Sequence, residues 1–438
     1  MPAVLKMVVA AWLLCGCAGG PVYSRLDAHL LRGDCPAATA LIDESRSAYG
    51  DNARLLHLLD AAMVYLQCGD VDAAQKHFHD AEALAQRLWT ESVTRHALSL
   101  VTNDWVLPYA GEDFERVMIH LVSAIGYLGA GQPDEALVEA RRLDSLLTLY
   151  NATYEPQNAY REDAFARYLS GILREAEGDL DGAFIDYRRA ARVYASNDRI
   201  YGTGLPAILA EDLLRVASAV GRTADIDGLV AVDGARPPSA TGSGADSGKV
   251  VLIAFAGYAP HKVQDMLLVP TPEGPVGITF PRLVVAPPGC VPGRLGLDGG
   301  ARSFQAELQL VEDINRIAVQ NLNDRMGRIL IRAMARAVSK QAAIYGISRS
   351  TKEPDEQRTV AAILNFSNLL LLERADTRSW RTLPGQIYMT RLVVPAGDYK
   401  VVLNTCQGMP SSLGTLSVNP GATHYLFQDL RYPIQHFN

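Results

Sequence analysis

Four stretches of the chain gather side chains able to bind or react. The first, "NDWVLPYAGEDFERVMIH" (Asn103–His120), sets Trp105, Tyr109 and Phe114 beside Glu112, Asp113, Glu115 and Arg116. The second, "YEPQNAYREDAFARYLSG" (Tyr154–Gly171), repeats the theme with Tyr160 and Asp163. Phenol hydroxyls, carboxylates and a guanidinium at this density suit recognition of a polar partner. Tyr109, Glu112, Arg116, Tyr160 and Asp163 are therefore candidate partner-binding residues, if the two loops converge on one side of the molecule. The competing account is local. Acids just after Gly111 favour the positive end of the next helix whether or not a ligand exists, and the aromatics can pack under their own loop. The third stretch, "DTRSWRTLP" (Asp376–Pro384), places Arg378 and Trp380 where a guanidinium can pair with a carboxylate and stack on an indole. That is either a structural staple or a surface site. In the fourth, Arg325, Arg328, Arg332, Arg336 and Lys340 recur at steps of three and four, with Asp324 the one acid beside them. This basic strip is either a solvated face opposite Ile329, Ala333 and Ala337, or a docking strip for an acidic first half, an anionic head group or an anionic glycan.

Enzymatic signatures are absent from the sequence. It has no His-Glu-x-x-His, no Cys-x-x-Cys and no phosphate-cradling Gly loop. His77 and His79, two apart on a helix, point about 200° from each other and cannot share a metal. The Gly-Ser-Gly at Gly242–Gly244 lies in a linker, not on a strand-to-helix elbow. We therefore assign no catalytic residue, no metal and no cofactor. A formal net charge of −7 argues against a nucleic-acid partner.

The amino terminus carries covalent chemistry of another kind. One cation, Lys6, precedes an apolar run from Met7 to Leu14 and then Cys15-Gly16-Cys17-Ala18. This is the layout of a secretory signal, and the run falls far short of the ~20 residues that span a bilayer. Leu14-Cys15-Gly16-Cys17 resembles a bacterial lipobox. The resemblance implies removal of residues 1–16, a diacylglyceryl group on the sulfur of Cys17, and three acyl chains. One chain anchors only marginally and two or more anchor firmly. Ala18, rather than Asp, resembles an outer-membrane sorting signal, which places the body on the periplasmic face. Of the remaining cysteines, Cys35 and Cys68 fall at expected hairpin turns and Cys290 and Cys406 in the second half. In an oxidising compartment they form two regional disulfides or stay as free thiols.

The elements that position these residues divide the chain into 17–230, helical in pattern, a linker at 231–248, and a β-rich α+β part at 249–438. "GDVDAAQKHFHDA" and "GDLDGAFIDYRRA" share a frame: after the Gly, Ala74, Phe78 and Ala81 match Ala183, Tyr187 and Ala190 on one helix face. Seven residues before each turn Gly stands a small residue, Ala62, Ala124 or Gly171, which lets two helices approach closely. Turn glycines recur at Gly33, Gly69, Gly131, Gly178 and Gly221 with irregular spacing. The pattern resembles the tetratricopeptide repeat, a helical hairpin of about 34 residues that stacks into a groove-bearing solenoid. After the Gly/Pro/Ser-rich stretch 233–249, "KVVLIAFAG" reads as a buried strand. Further strands are expected at 277–285, 303–310, 387–394, 399–404 and 424–430. A long helix is expected from Glu312 to Tyr345, and an apolar one near Thr359–Arg374. The expected class is α+β multidomain: a tetratricopeptide-like solenoid, then a sandwich-like β-rich domain with one long helix.

The segments "LPYAGEDFERVMIH", "DAFARYLSGILREAEGDLDGAFIDYRRA" and "ADTRSWRTLPGQIY" resemble an uncharacterised family of bacterial outer-membrane lipoproteins with tetratricopeptide-like repeats. The resemblance spans nearly all of the mature chain. It implies a setting like that of periplasmic lipoproteins of cell-envelope assembly, including activators of peptidoglycan synthases. The expected function is a lipid-anchored scaffold that binds a periplasmic or outer-membrane protein. The alternatives are a regulator of a peptidoglycan synthase and a cell-wall-modifying enzyme with a site assembled only in space.

Overall fold

The computed structural model describes residues 20–95, 105, 107–153, 162–230, 246–270, 276–286, 293–348, 357, 374–405 and 410–433. Cys17, Tyr160, Cys290, Cys406, most of the 231–248 linker and the expected helix at 359–374 lie outside them.

Paired helices fill the first half. They are α1 (Gly20–Leu31), α2 (Cys35–Glu44), α3 (Arg46–Tyr49), α4 (Arg54–Gln67), α5 (Val71–Arg95), α6 (Asp113–Gly129), α7 (Pro133–Thr153), α8 (Ala164–Ala176), α9 (Leu180–Tyr201) and α10 (Ala207–Ala219). Gly33, Gly69, Gly131, Gly178 and Gly221 all adopt positive φ, between 68° and 86°, at the turns that end α1, α4, α6, α8 and α10. This left-handed backbone strains any residue with a Cβ, so Gly33, Gly69, Gly131 and Gly178 write four hairpin turns, and Gly221 ends α10 before the short 3-10 turn Thr223–Ile226. The repeat face is buried as its spacing requires: Ala74, Phe78, Ala81, Ala183, Tyr187 and Ala190 are each at most 2% exposed. Gly171 makes a close helix–helix contact. A Cβ built there would lie 2.4 Å from Cδ1 of Tyr187, so the small residue on one helix and the aromatic on its neighbour are two sides of one approach. A disulfide joins Cys35 at the start of α2 to Cys68 at the end of α4, with Cα atoms 5.5 Å apart.

Among the described residues the β-rich half holds two four-stranded sheets and a ribbon. The first sheet has order β10-β1-β7-β6: β1 (Ser247–Tyr258) runs parallel to β10 (Thr423–Asp429) and antiparallel to β7 (Pro384–Pro395), which pairs with β6 (Gln309–Asp313). The second is antiparallel, in order β5 (Ser303–Glu307), β4 (Arg294–Asp298), β8 (Gly397–Asn404), β9 (Pro410–Val418). Strands β2 (His261–Val269) and β3 (Val276–Val284) form the separate ribbon, which packs on the long helix α11 (Ile314–Ser348). The expected 303–310 strand is two strands, β5 and β6, which break at Leu308. β2 and β9 lack the strict apolar alternation that marks strands, and β4 has it only in Leu295 and Leu297 of a five-residue strand. β9 carries Ser411, Ser412 and Gly414, the last at φ 111° where the register shifts, a bulge on an edge.

The continuous apolar run of β1 follows from burial on both faces. Val250, Leu252, Ala254 and Ala256 meet Leu295, Leu297, Val401 and Leu403 of the second sheet. Val251, Ile253 and Phe255 face the other way, into the core shared with α6, α8 and α9. Phe427 on β10 sits 4.8 Å from the Phe255 ring centroid and against Gly129 at the end of α6, where a Cβ would lie 3.2 Å from it. Helices, first sheet and second sheet thus form three layers around two cores.

Candidate functional site

Helices α5, α6 and α7 enclose a groove of about 530 Å³. Its apolar lining is Ala85, Trp89, Ile119, Val138, Leu146, Leu149 and Tyr150, with Val138 39% and Leu149 45% exposed. Trp89 and Tyr150 lie 6.0 Å apart with rings tilted by 50°. One wall is ionic. His120 Nδ1 is 2.7 Å from Glu139 and its Nε2 is 3.8 Å from Glu82. Arg142 donates to Glu139 at 3.1 Å and reaches Glu82 at 3.4 Å. The repeat architecture explains the arrangement. Val138, Arg141, Arg142, Ser145, Leu146 and Leu149 follow three- and four-residue steps, so one face of α7 looks into the groove. Of the groove's lining residues, sequence reasoning singled out Arg116 alone, because three separate helices contribute to the groove.

The residues that sequence reasoning did single out come together elsewhere, at the joint between the two halves. The N-terminus of α6 forms a capping box: Glu112 caps, and its backbone N–H donates to Glu115 Oε2 at 2.8 Å. Glu115 is the hub. It also accepts from the Tyr109 hydroxyl and from the Trp380 backbone N–H at 2.8 Å. The Glu112 carboxylate reaches the second half, pairing with Lys262 on β2 and Arg325 on α11. Arg116 binds Asp113, the carbonyls of Ala110 and Gly111, and the Tyr150 hydroxyl at 2.5 Å. Arg378 binds both oxygens of Asp376 (2.8 and 2.7 Å) and the carbonyls of Asn52 (2.8 Å) and Leu107 (3.0 Å). Its guanidinium lies over Trp105 and Tyr109 at 5.3 and 5.2 Å. Trp380 is fully buried and donates Nε1–H to Thr382 at 3.0 Å.

Tyr109, Arg116, Arg378 and Trp380 are buried. Tyr109 and Trp380 are bound to Glu115, Arg116 to Asp113 and Tyr150, and Arg378 to Asp376, while Arg116 also lines the α5–α7 groove. Asp163 is not part of the joint. It caps α8, accepting from Ala166 N–H at 2.7 Å, and lines a small cavity with Tyr194, Tyr201 and Glu312. One hairpin separates it from α6, so the two loops do not meet through it. The basic strip is not a single solvated face either. Arg325 is bound to Glu112, Arg328 is exposed, Arg332 is half-buried and Arg336 is 4% exposed; Lys340 lies on the same helix.

Burial sets the electrostatics of the joint. It raises the Glu115 carboxyl and the Tyr109 phenol, the latter also through the charge of Glu115. It lowers the Lys262 ammonium, against which Asp376 and Glu115 pull upward. A second ionic knot ties α8 and α10 to the first sheet. Glu175 accepts from Arg391 (3.0 and 2.9 Å), Arg215 (2.8 and 2.7 Å), Lys249 (2.6 Å) and the Tyr187 hydroxyl (2.8 Å). Asp212 takes Arg391 at 2.8 Å and the Tyr168 hydroxyl at 2.7 Å. Burial alone would raise Glu175; Arg391 and Arg215 outweigh it and hold the carboxyl well below the usual carboxylate range. Among the described residues no helix is long and apolar enough to cross a membrane.

No protein-family model matches the chain, and no curated protein does. Solved structures show a likeness. BtubC (BKLC) from P. vanneervenii is 15% identical, covering 49% of this chain and 76% of that one with a TM-score of 0.32. A Podosopora anserina chain described as kinesin light chain with nearly identical TPR-like repeats is 15% identical. It covers 48% of this chain and 90% of that one with a TM-score of 0.30. A single-residue variant of that chain matches at the same identity and TM-score, with 89% of its length covered.

Proposed function

We propose that the chain is a protein-interaction scaffold, tethered by acyl groups on Cys17 to the periplasmic face of the outer membrane. In this reading the groove of α5–α7 receives an extended or helical segment of a periplasmic or outer-membrane protein through its apolar side chains. The observation that carries the reading is the groove itself. Trp89, Val138, Leu149 and Tyr150 line one concave surface, and Val138 and Leu149 leave apolar area uncovered there. Isolated exposed apolar residues are ordinary, whereas a concave apolar cluster marks a contact site. A β-rich half locked to the array by two ionic joints keeps the groove rigid, which lowers the ordering cost of binding.

A photo-crosslinking residue at Gln86, on the groove wall, tests this in the intact envelope. One defined crosslinked protein is expected, and Leu149→Asp should abolish it. Leu149 is 45% exposed, so the substitution leaves the core untouched. No crosslinked species, or one indifferent to Leu149→Asp, refutes the groove. The tether is tested separately: labelled palmitate should enter the chain, and Cys17→Ser should release it from the membrane fraction.

A further inference from the structure

A second cavity, of about 520 Å³, opens where α1, the loop after α3, the start of β2 and the segment before β7 meet. Aromatic and cationic side chains dominate its lining: Tyr23, Tyr49, Trp105, His261, Arg378 and Arg381. Of the cations, Arg378 is committed to Asp376 and to backbone carbonyls. Lys262, also at the wall, is committed to Glu112. Arg381 is not. It lies 4.5 Å over the Tyr23 ring; among the described residues no carboxylate lies within ion-pair distance of it, although Asp27 on α1 feels its charge. Among the described residues the one acid in the lining, Asp51, is exposed.

The tyrosine hydroxyls turn away from the cavity. Tyr23 and Tyr49 both donate their O–H groups to Asp60 behind the wall, at 2.7 and 2.9 Å, and Thr382 donates to its other oxygen at 2.7 Å. Neutral hydrogen-bonding groups complete the lining. These are the hydroxyls of Thr377 and Ser379 and the imidazole of His261, which burial and the charge of Arg381 lower. A free guanidinium is a fork matched to carboxylate or phosphate. Fixed ring faces suit the C–H face of a pyranose, because the face of an aromatic ring carries negative charge. Hydroxyls and an imidazole suit sugar hydroxyls, and the volume lies within the range of small-molecule sites.

We propose that this cavity binds an acidic sugar, its carboxylate or phosphate on Arg381 and its ring against Trp105 and Tyr49. The site is independent of the α5–α7 groove: it shares no lining residue with it and takes a small molecule, not a protein segment. Because its walls come from both halves of the chain, the ligand bridges them and stabilises the joint increasingly as its concentration exceeds the dissociation constant.

Calorimetric titration of the full chain with glucuronate, glucose 6-phosphate, glucose and inorganic phosphate is the test. Glucuronate or glucose 6-phosphate should bind at least tenfold more tightly than glucose and than inorganic phosphate, the difference shrinking with salt. Arg381→Gln should remove that preference, and Arg381→Lys should restore part of it. Arg381→Gln should lower the melting temperature only slightly, since Arg381 holds no ion pair among the described residues and loses only its contact with the Tyr23 ring. Trp105→Ala should weaken both acidic sugars. Glucose binding as well as the acidic sugars refutes the role of Arg381. Inorganic phosphate binding as well as glucose 6-phosphate refutes the sugar. No heat from either acidic sugar, or full affinity in Arg381→Gln, overturns the proposal.

Discussion

Glu175→Gln tests whether the two halves are held as one body. Glu175 is 4% exposed and is gripped by three cations, Arg391, Arg215 and Lys249. Glutamine keeps its volume and one acceptor, so the change is almost purely electrostatic. It leaves Arg391, whose side chain is 5% exposed, with Asp212 as its one remaining ion-pair partner among the described residues. Removing one member of a buried charge cluster costs about 3–5 kcal/mol, because the partners stay desolvated without compensation. For one body of about 400 residues, with about 2.1 cal/mol/K of unfolding entropy per residue, each kcal/mol lowers the melting temperature by about 1.2 °C, so the loss should be roughly 4–6 °C. The pH dependence follows from the depressed carboxyl. In the unfolded chain Glu175 ionises near the ordinary value of about 4.3. Its contribution is therefore complete above that pH and is lost as pH falls through the lower folded value. The gap between wild type and variant should be constant from about pH 8 to pH 5.5 and close below about pH 4. Differential scanning calorimetry of the full chain reads both quantities. A gap under about 1 kcal/mol, or a β-rich transition unmoved while the helical one falls, refutes the claim that the knot joins the halves.

Three further outcomes follow. Gly171→Ala should destabilise by about 1–2 kcal/mol, because overpacking costs about 1–3 kcal/mol and the helix-propensity gain returns at most about 1; its Cβ would lie 2.4 Å from the Tyr187 ring, and a raised melting temperature contradicts the close approach. Glu312→Gln should stabilise the chain at pH 8 and be neutral near pH 4. Burial, then Asp163 and Asp313, raise Glu312 far above its ordinary value, so the native carboxyl loses stability as pH rises through the unfolded pKa; a variant less stable at pH 8 than wild type refutes this. Replacing Cys35 and Cys68 by Ser should cost about 2–4 kcal/mol in denaturant unfolding, and a non-reduced digest of the wild type should yield the linked Cys35–Cys68 peptide.

Local rules made part of this structure legible. Five glycines at irregular intervals mark five left-handed turns, since no other residue takes that backbone without strain. The apolar run at 249–257 marks a strand buried on both faces, since a half-solvated one would alternate. The acids after Gly111 mark a helix start, and the capping box is there. What stayed hidden depends on long-range pairing. Glu175, Asp212, Arg215, Lys249 and Arg391 meet from four elements, and nothing local to any of them names the others. The same holds for the groove, where Glu82, His120, Glu139 and Tyr150 become neighbours only when α5, α6 and α7 stack. Pro281 lies inside β3, where a central strand would need its missing N–H. β3 instead belongs to a two-stranded ribbon and has one neighbour to satisfy, so the proline is tolerated.

The first turn of α6 lies between the two candidate sites, and this gives the buried polar joint a physical consequence. Arg116 holds Tyr150, which lines the groove, while the next residue back, Glu115, holds Tyr109 and the backbone of Trp380. Arg378, stacked on Tyr109, lines the other cavity. Groove and cavity are thus joined by side chains that are each hydrogen-bonded or stacked on the next. Geometry alone does not make them coupled, because coupling needs an element with two arrangements that each ligand prefers differently. The measurement is reciprocal by thermodynamic necessity: if a groove-bound peptide changes the affinity for an acidic sugar by some factor, the sugar changes the affinity for the peptide by the same factor. Tyr150→Phe keeps the groove's apolar wall and deletes the bond to Arg116. Any coupling that runs through the α6 turn must fall in that variant, while a coupling that survives it runs through the shared core instead.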